Sequence, residues 1–103
     1  MRPRVPWMNE VDTAILEYLE ELGAVDGHPV SMAPTPLYVN LVQQMAVVDV
    51  QPNTLSRRMG RLAEMGMLER VDEKRGYYWI TEKGEAFLAG ELNSEDIPRP
   101  EDE

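Results

Sequence analysis

Hydrophobic residues recur with the period of an α-helix in four stretches of the chain, and these stretches predict four helices. The first begins after Asn9, whose side chain can cap a helix that carries Asp12 at its third position, in the manner of a capping box. Gly23 is expected to end this helix. Its apolar stripe consists of Val11, Ile15, Tyr18 and Leu22, with Leu19 beside it.

Two further helices are predicted on either side of a short turn. Pro36, with Thr35 as the cap, should begin the second helix, which carries Leu37, Leu41 and Met45 at fourfold spacing. The sequence AVVDVQ breaks that period and predicts the turn. A third helix is expected over 52–65, because Pro52 suits a first helical turn and Gly66 suits the end. Its buried stripe would be Leu55, Met59, Leu62 and Ala63.

The stretches MLERV and YYWIT predict two short strands, and DEKRG, residues 72–76, joins them as a hairpin. Thr81 is placed to cap a last helix, EKGEAFLAGEL. Between the first two helices, VSM is short enough for one further strand. The order of elements therefore predicts an α+β winged helix-turn-helix domain, with a three-helix core, a β-hairpin wing and a C-terminal helix.

The length of 103 residues and the hydrophobic fraction of 43% suit one compact domain. Residues 1–8 contain Pro3 and Pro6 and predict an N-terminal arm, and residues 9–92 form the domain. Residues 93–103, NSEDIPRPEDE, are acidic and proline-bearing and predict a disordered tail. The chain has no cysteine, no apolar run that could span a bilayer and no apolar signal-peptide region, so a cytoplasmic protein is expected.

The chain is strongly acidic, with 19 Asp and Glu against 10 Lys and Arg and a formal net charge of -9. Its only lysines are Lys74 and Lys83, so arginine carries most of the positive charge. Surface acidity of this kind keeps proteins soluble in concentrated salt, and it favours a salt-loving source. An ordinary acidic mesophilic protein is the alternative.

One stretch departs from this acidity: NTLSRRMGRL, residues 53–62, holds three arginines and no acid. At 100° per residue its polar side chains gather opposite the apolar stripe, with one arginine on the flank. Asn, Thr and Arg are the side chains that hydrogen-bond base edges and phosphates, and two more basic residues lie at the hairpin tip. The predicted DNA contacts are Asn53, Thr54, Arg57, Arg58, Arg61, Lys74 and Arg75.

The simpler interpretation is that these arginines only solvate the helix and pair with acids such as Glu64. Exposed ion pairs of that kind contribute about 0–1 kcal/mol each. The position of the helix, after a helix and a tight turn and before a basic hairpin, favours DNA.

The segment NTLSRRMGRLAEMGMLERVDEKRGYYWITEKGEAFL closely resembles the recognition helix and wing of archaeal MarR/ArsR-like winged-helix regulators. RLAEMGMLER and WITEKGEAFL resemble the junctions on either side of the wing. With MRPRVPWMNEVDTAILEYL, the chain over roughly residues 1–92 resembles haloarchaeal relatives of the phage phi-H repressor. The resemblance implies a DNA-binding transcriptional regulator, with helix 52–65 in the major groove and wing 72–76 on the adjacent backbone or minor groove. It implies a role as a repressor that occupies promoter DNA.

Trp79 departs from that pattern, because a polar or basic residue is expected there. Tyr77 and Trp79 either mark a partner surface or pack on the C-terminal helix. The first interpretation favours a rival function, a winged-helix protein-interaction module without DNA affinity. A homodimer is expected, with helix 1 and the last helix as the contacts, since two half-sites multiply specificity. Leu16, off the main stripe, would face either the last helix or a second subunit.

An enzyme is not expected from this sequence. His28 is the only histidine and stands in DGHPV without a second ligand or a paired acid. Phosphate-binding loops, nucleophile elbows and metal motifs are missing from the sequence, so no cofactor and no metal are predicted.

Overall fold

The computed structural model describes residues 2–100. Its first helix, α1, spans Glu10–Leu22 and begins with the expected capping box. The side chain of Asn9 accepts hydrogen bonds from the backbone N–H of Val11 and of Asp12, and Asp12 in turn accepts the Asn9 N–H at 3.0 Å. Because these bonds satisfy amides that have no partner within the helix, they determine where α1 starts.

The buried face of α1 is wider than the predicted stripe. Leu16 is fully buried, together with Ile15 and Leu19, whereas Leu22 is 36% exposed. The reason is that α1 packs against the third helix, the last helix and the second strand of the wing. Leu16 is therefore part of this chain's own core.

A small hairpin follows α1, formed by β1, Ala24–Val25, and β2, His28–Pro29. Its turn residues Asp26 and Gly27 both have positive φ, 54° and 83°, as a two-residue hairpin turn requires. The strand expected over VSM is reduced to one bridge. Met32 exchanges backbone hydrogen bonds of 2.8 and 3.1 Å with Tyr78 and so adds an edge to the wing.

The second helix starts earlier than predicted. α2 spans Pro34–Tyr38, with Ala33 rather than Thr35 at its cap, and it continues as a π-helical segment, Val39–Gln44. Leu37 and Leu41 are buried as expected, but Met45 is 48% exposed. In a π-helix each N–H bonds the carbonyl five residues back, so fourfold spacing no longer returns to the same face.

The third helix, α3, spans Pro52–Glu64 and agrees with the prediction to within one residue. Leu55, Met59 and Leu62 are fully buried, and Gly66 follows with a φ of 83°. The α2–α3 turn contains Ala46 at a φ of 52°.

The wing consists of β3, Leu68–Asp72, and β4, Tyr77–Ile80, which pair antiparallel with a bulge between Arg70 and Asp72. The last helix, α4, spans Glu82–Leu88. Thr81 caps it as predicted, because its hydroxyl accepts the N–H of Gly84 at 3.1 Å. Three core helices, a wing and a C-terminal helix confirm the predicted α+β winged helix-turn-helix fold.

The segment after α4 differs from the predicted disordered tail. Ser94–Asp96 forms a short 3-10 turn, and Ile97 packs in the core with only 2% of its area exposed. Ile97 thus helps to anchor residues 93–100 in the core, although the composition around it is acidic and proline-bearing. Residues 101–103 lie outside the described part. Within residues 2–100 no helix has the length and apolarity that crossing a membrane requires.

Candidate nucleic-acid interface

The arginine helix α3 divides its polar residues between two faces. Asn53 and Arg57 are exposed, and Thr54 and Arg61 are half-buried beside them. These four residues form what we call the arginine face of α3. The sequence predicted this grouping from the helical period, since the four positions lie away from the buried stripe.

Arg58 does not belong to the arginine face. Its Nε donates a hydrogen bond of 2.8 Å to Asp12, whose side chain is fully buried, and a second nitrogen contacts the same carboxylate. That nitrogen also donates to the carbonyl oxygen of Trp7 at 3.1 Å. Only 11% of the Arg58 side chain is exposed. The prediction that Arg58 contacts DNA therefore has to be corrected: Arg58 attaches α3 to α1 and to the N-terminal arm.

A sequence signal for this inward arginine existed. At 100° per residue, Arg58 lies about 60° from Leu55, on the border of the buried stripe. A buried carboxylate on a neighbouring helix is the partner that such an arginine needs. Asp12 had already been assigned to the capping box, and it serves both purposes.

The wing tip is shaped by Asp72. Its side chain accepts the backbone N–H groups of Lys74 and Arg75 at 3.1 and 3.2 Å, and its carbonyl oxygen accepts that of Gly76 at 2.8 Å. Gly76 has a φ of 69°, a backbone conformation that residues other than glycine adopt only with strain. Both basic side chains are exposed, and 77% of the Arg75 side chain is accessible to solvent.

A cleft of about 370 Å³ joins the wing tip to the arginine face. Arg75 forms one wall, and residues from the beginnings of α2 and α3 form the other. Thr35 and Ser56 lie in this cleft and were not predicted as site residues, since neither is charged nor part of the arginine pattern. The complete lining is Ala33, Pro34, Thr35, Pro52, Asn53, Ser56 and Arg75.

The C-terminal half of the arginine face borders an acid. Arg57, Gly60, Arg61 and Glu64 surround a second surface cavity of about 210 Å³. Glu64, the last residue of the helix, thus lies at the C-terminal end of the arginine face.

The outward face of the wing carries the aromatic pair singled out in the sequence. Trp79 is half-buried and donates its indole N–H to Glu69, its cross-strand neighbour, at 2.8 Å. Tyr77 is 37% exposed. On the opposite face, the hydroxyl of the buried Tyr78 accepts a hydrogen bond from Arg70, and this bond raises the pKa of Arg70 above its ordinary value.

The described residues contain no candidate site for a metal ion. No group of three or more His, Cys, Asp and Glu side chains among residues 2–100 is arranged to hold a metal ion. His28 lies exposed in β2, beside the hairpin turn.

Comparison with known proteins gives two findings that agree with this geometry. A crystal structure of a PhiH1 repressor-like protein from Haloarcula marismortui superimposes with a TM-score of 0.74 at 29% identity, covering 96% of this chain and 97% of that one. The curated proteins searched contain no significant match. A model of the winged helix-turn-helix phage repressor domain matches residues 1–99. The chain therefore belongs to the winged helix-turn-helix phage repressor family.

Proposed function

We propose that this protein is a transcriptional regulator that binds duplex DNA with α3 in the major groove and the wing on the adjacent backbone or minor groove. One observation carries the proposal: in a chain of net charge -9, Arg75 of the wing tip lines the same cleft as Asn53, the first residue of the arginine face. The family match supports DNA binding as the general activity. Repression by occupying promoter DNA is the specific role that we propose.

The residues of this surface divide by chemistry. Asn53 and Arg57 are exposed in the N-terminal half of α3, the part of a recognition helix that contacts base edges. Asn pairs bidentately with adenine and Arg with guanine. Thr54 and Arg61, at the margins of the same face, are assigned to phosphates and flanking bases.

The wing residues are assigned to the backbone. Lys74 and Arg75 are exposed on the turn whose backbone N–H groups Asp72 accepts, and Arg75 lines the cleft at the start of α3. A cation contacting phosphate adds affinity without reading sequence. In concentrated salt the Debye length falls to about 3 Å at 1 M, so short-range hydrogen bonds must supply most of the affinity.

We also propose that the protein acts in the cytoplasm as a homodimer, with exposed surfaces of α1 and α4 as the contacts. Two copies would place two α3 helices in successive major grooves and so double the number of base pairs that are read. Light scattering at working salt tests this directly, and a monomer at micromolar concentration would contradict it.

A protein-interaction module is the second candidate. The half-exposed Tyr77 and Trp79 favour it, since they form an aromatic face on the outside of the wing. Under this alternative, substitution of Tyr77 and Trp79 abolishes partner binding, and substitution of the arginine face leaves it unchanged.

The deciding experiment is fluorescence anisotropy with a pool of random duplexes, followed by selection and sequencing of the bound DNA. The titrations run from moderate to molar KCl for the wild type and for Arg57→Ala/Arg61→Ala. Loss of two such contacts is expected to weaken binding at least about 10-fold and to make the salt slope shallower by about one to two units. The matched control, Arg4→Ala/Lys83→Ala, removes the same charge elsewhere and should bind nearly as the wild type does.

Two outcomes separate the candidates. An enriched motif that disappears in the arginine variant supports DNA recognition by α3. A folded wild type that binds no duplex at any KCl concentration refutes the proposal and favours the interaction module.

A further inference from the structure

An apolar groove lies between α1 and the end of the π-helical segment that follows α2. It is formed by four side chains of α1 and by three side chains of the π-helical segment and the α2–α3 turn. These are Ala14, Glu17, Tyr18 and Glu21 on one wall, and Leu41, Met45 and Val47 on the other. No residue of the arginine face or of the wing tip lines this groove, so it is separate from the surface that we assign to DNA.

The backbone holds the apolar side chains of Met45 and Val47 at the surface, where they are 48% and 55% exposed. The N–H of Met45 donates to the carbonyl oxygen of Asn40 at 2.9 Å. The N–H of Val47 donates to the carbonyl oxygen of Leu41 at 2.8 Å. Between them Ala46 has a φ of 52°, which residues other than glycine rarely adopt. The exposure thus follows from fixed hydrogen bonds and a strained residue, and such strain is often retained at functional sites.

The α1 wall of the groove is acidic. Glu17 and Glu21 are exposed and lie one helical turn apart, about 6 Å along the axis. Glu17 accepts a hydrogen bond from Arg2 at 2.9 Å, whereas Glu21 forms no ion pair within residues 2–100. The buried Ala14 and Leu41 form an apolar floor between these carboxylates and the opposite wall. A groove of this kind complements an apolar group that has positive charge beside it.

The charge of the groove argues against two other occupants. DNA is a polyanion and is repelled by Glu17 and Glu21. A second copy of this chain carries a net charge of -9, so the same repulsion opposes its approach to the acidic wall. The occupant that the charge favours is a basic segment of another protein.

The size of the groove also favours a protein segment over a free small molecule. Its volume is about 150 Å³, and an apolar cavity of that volume holds one benzene ring. The groove therefore has room for one side chain of the size of leucine or phenylalanine. Small-molecule sites are larger, about 300–1,000 Å³, and enclose most of the ligand. Along α1 the wall from Ala14 to Glu21 is about 10.5 Å long, which matches two turns of a partner helix.

We propose that the groove binds a basic amphipathic helix of a partner protein. The helix inserts one apolar side chain beside Tyr18 and Met45 and directs Lys or Arg side chains to Glu17 and Glu21. In this mode of recognition the inserted side chain supplies most of the affinity, and the charges select the partner. Because the groove shares no residue with the arginine face, the partner binds while α3 remains open to DNA.

The test uses two synthetic peptides as probes of the full-length protein. One is a helical peptide of alanine, leucine and lysine, and the other has glutamate in place of every lysine. Methyl NMR follows the signal of Met45, with the fully buried Met59 as an internal reference. The lysine peptide should shift the Met45 signal and leave that of Met59 unchanged, whereas the glutamate peptide should shift neither. The preference for lysine should shrink at molar KCl, because exposed charges are screened.

Two pairs of variants tie peptide binding to the groove. Glu21→Lys should weaken binding of the lysine peptide about 3- to 10-fold, because repulsion replaces an exposed ion pair. Glu20→Lys makes the same change of charge at the adjacent exposed residue, which does not line the groove, and should weaken binding less than about 2-fold. Val47→Ser should weaken binding about 2- to 10-fold through lost apolar burial, whereas Val25→Ser, at an exposed site outside the groove, should leave binding unchanged.

Three results would overturn the proposal. The first is a Met45 signal that millimolar lysine peptide leaves unchanged. The second is an equal loss of binding in Glu21→Lys and Glu20→Lys, which would show attraction to net charge alone. The third is a Met45 signal that shifts with protein concentration in the absence of peptide, together with a doubled mass in light scattering that Val47→Ser abolishes, because a second copy would then cover the groove. Losses in Glu21→Lys and Val47→Ser, with both controls binding as the wild type does, support it.

Discussion

Replacing Arg58 with methionine should destabilise the protein without removing a DNA contact. Arg58 makes two contacts with the carboxylate of Asp12, which has no exposed area, and a third with the carbonyl oxygen of Trp7. Methionine retains much of the aliphatic packing but leaves a buried carboxylate without its cation. Breaking one partner of a buried pair costs about 3–5 kcal/mol in the free energy of unfolding. That is a large share of the about 5–15 kcal/mol typical of a domain.

A double-mutant cycle isolates the pair from the other effects of each change. Asp12→Asn keeps a side chain that can accept the Asn9 N–H, so it removes the charge while preserving most of the capping box. We expect the double variant Asp12→Asn/Arg58→Met to lose less free energy of unfolding than the two single variants lose together. The difference, the coupling energy, should be about 1–3 kcal/mol. Urea unfolding followed by tryptophan fluorescence, at constant salt and pH, supplies the four free energies.

Arg57→Ala is the matched control, because Arg57 lies one residue away on the exposed face of the same helix. It should change stability by less than about 0.5 kcal/mol and yet weaken DNA binding. Arg58→Met should lower the stability and leave the affinity for DNA nearly unchanged, when the affinity is measured under conditions in which the variant is folded. Stability of Arg58→Met within 0.5 kcal/mol of the wild type, or a coupling energy near zero, would refute the role assigned to this pair.

Two further predictions concern packing, and urea unfolding tests both. Gly84→Ala should lower the free energy of unfolding by about 1–3 kcal/mol, because an added Cβ would lie 2.5 Å from the Met67 carbonyl oxygen. Gly60→Ala, where nothing lies within 4 Å of the added Cβ, should raise it by about 0.5–1 kcal/mol, and equal effects of the two changes would contradict the crowding at Gly84. Ile97→Ala should lower the free energy of unfolding by about 2–5 kcal/mol, whereas Val47→Ala, at a 55% exposed site, should change it very little. An unchanged free energy of unfolding for Ile97→Ala would mean that the C-terminal segment is not anchored.

Features that rest on local interactions were predictable from the sequence. The Asn9 capping box, the Thr81 cap and the extent of α3 follow from residues three to four positions apart, whose contacts are decided within one helical turn. The arginine face follows from the same period, because a stripe of buried residues leaves the opposite side to solvent. The hairpin wing was recognised from a polar turn between two apolar runs.

The sequence by itself therefore determined the fold class, the bounds of α1, α3 and the two wing strands to within one residue, and the position of the arginine face in an acidic chain. Only the tertiary structure decided which arginine turns inward, that Ile97 anchors the C-terminal segment, and that the wing tip meets the start of α3 in one cleft. Each of these joins residues far apart in the chain, and a one-dimensional pattern does not record which distant partner is near. Arg58 illustrates the reason: its helical angle left both faces open, and the buried carboxylate on α1 determined which one it took.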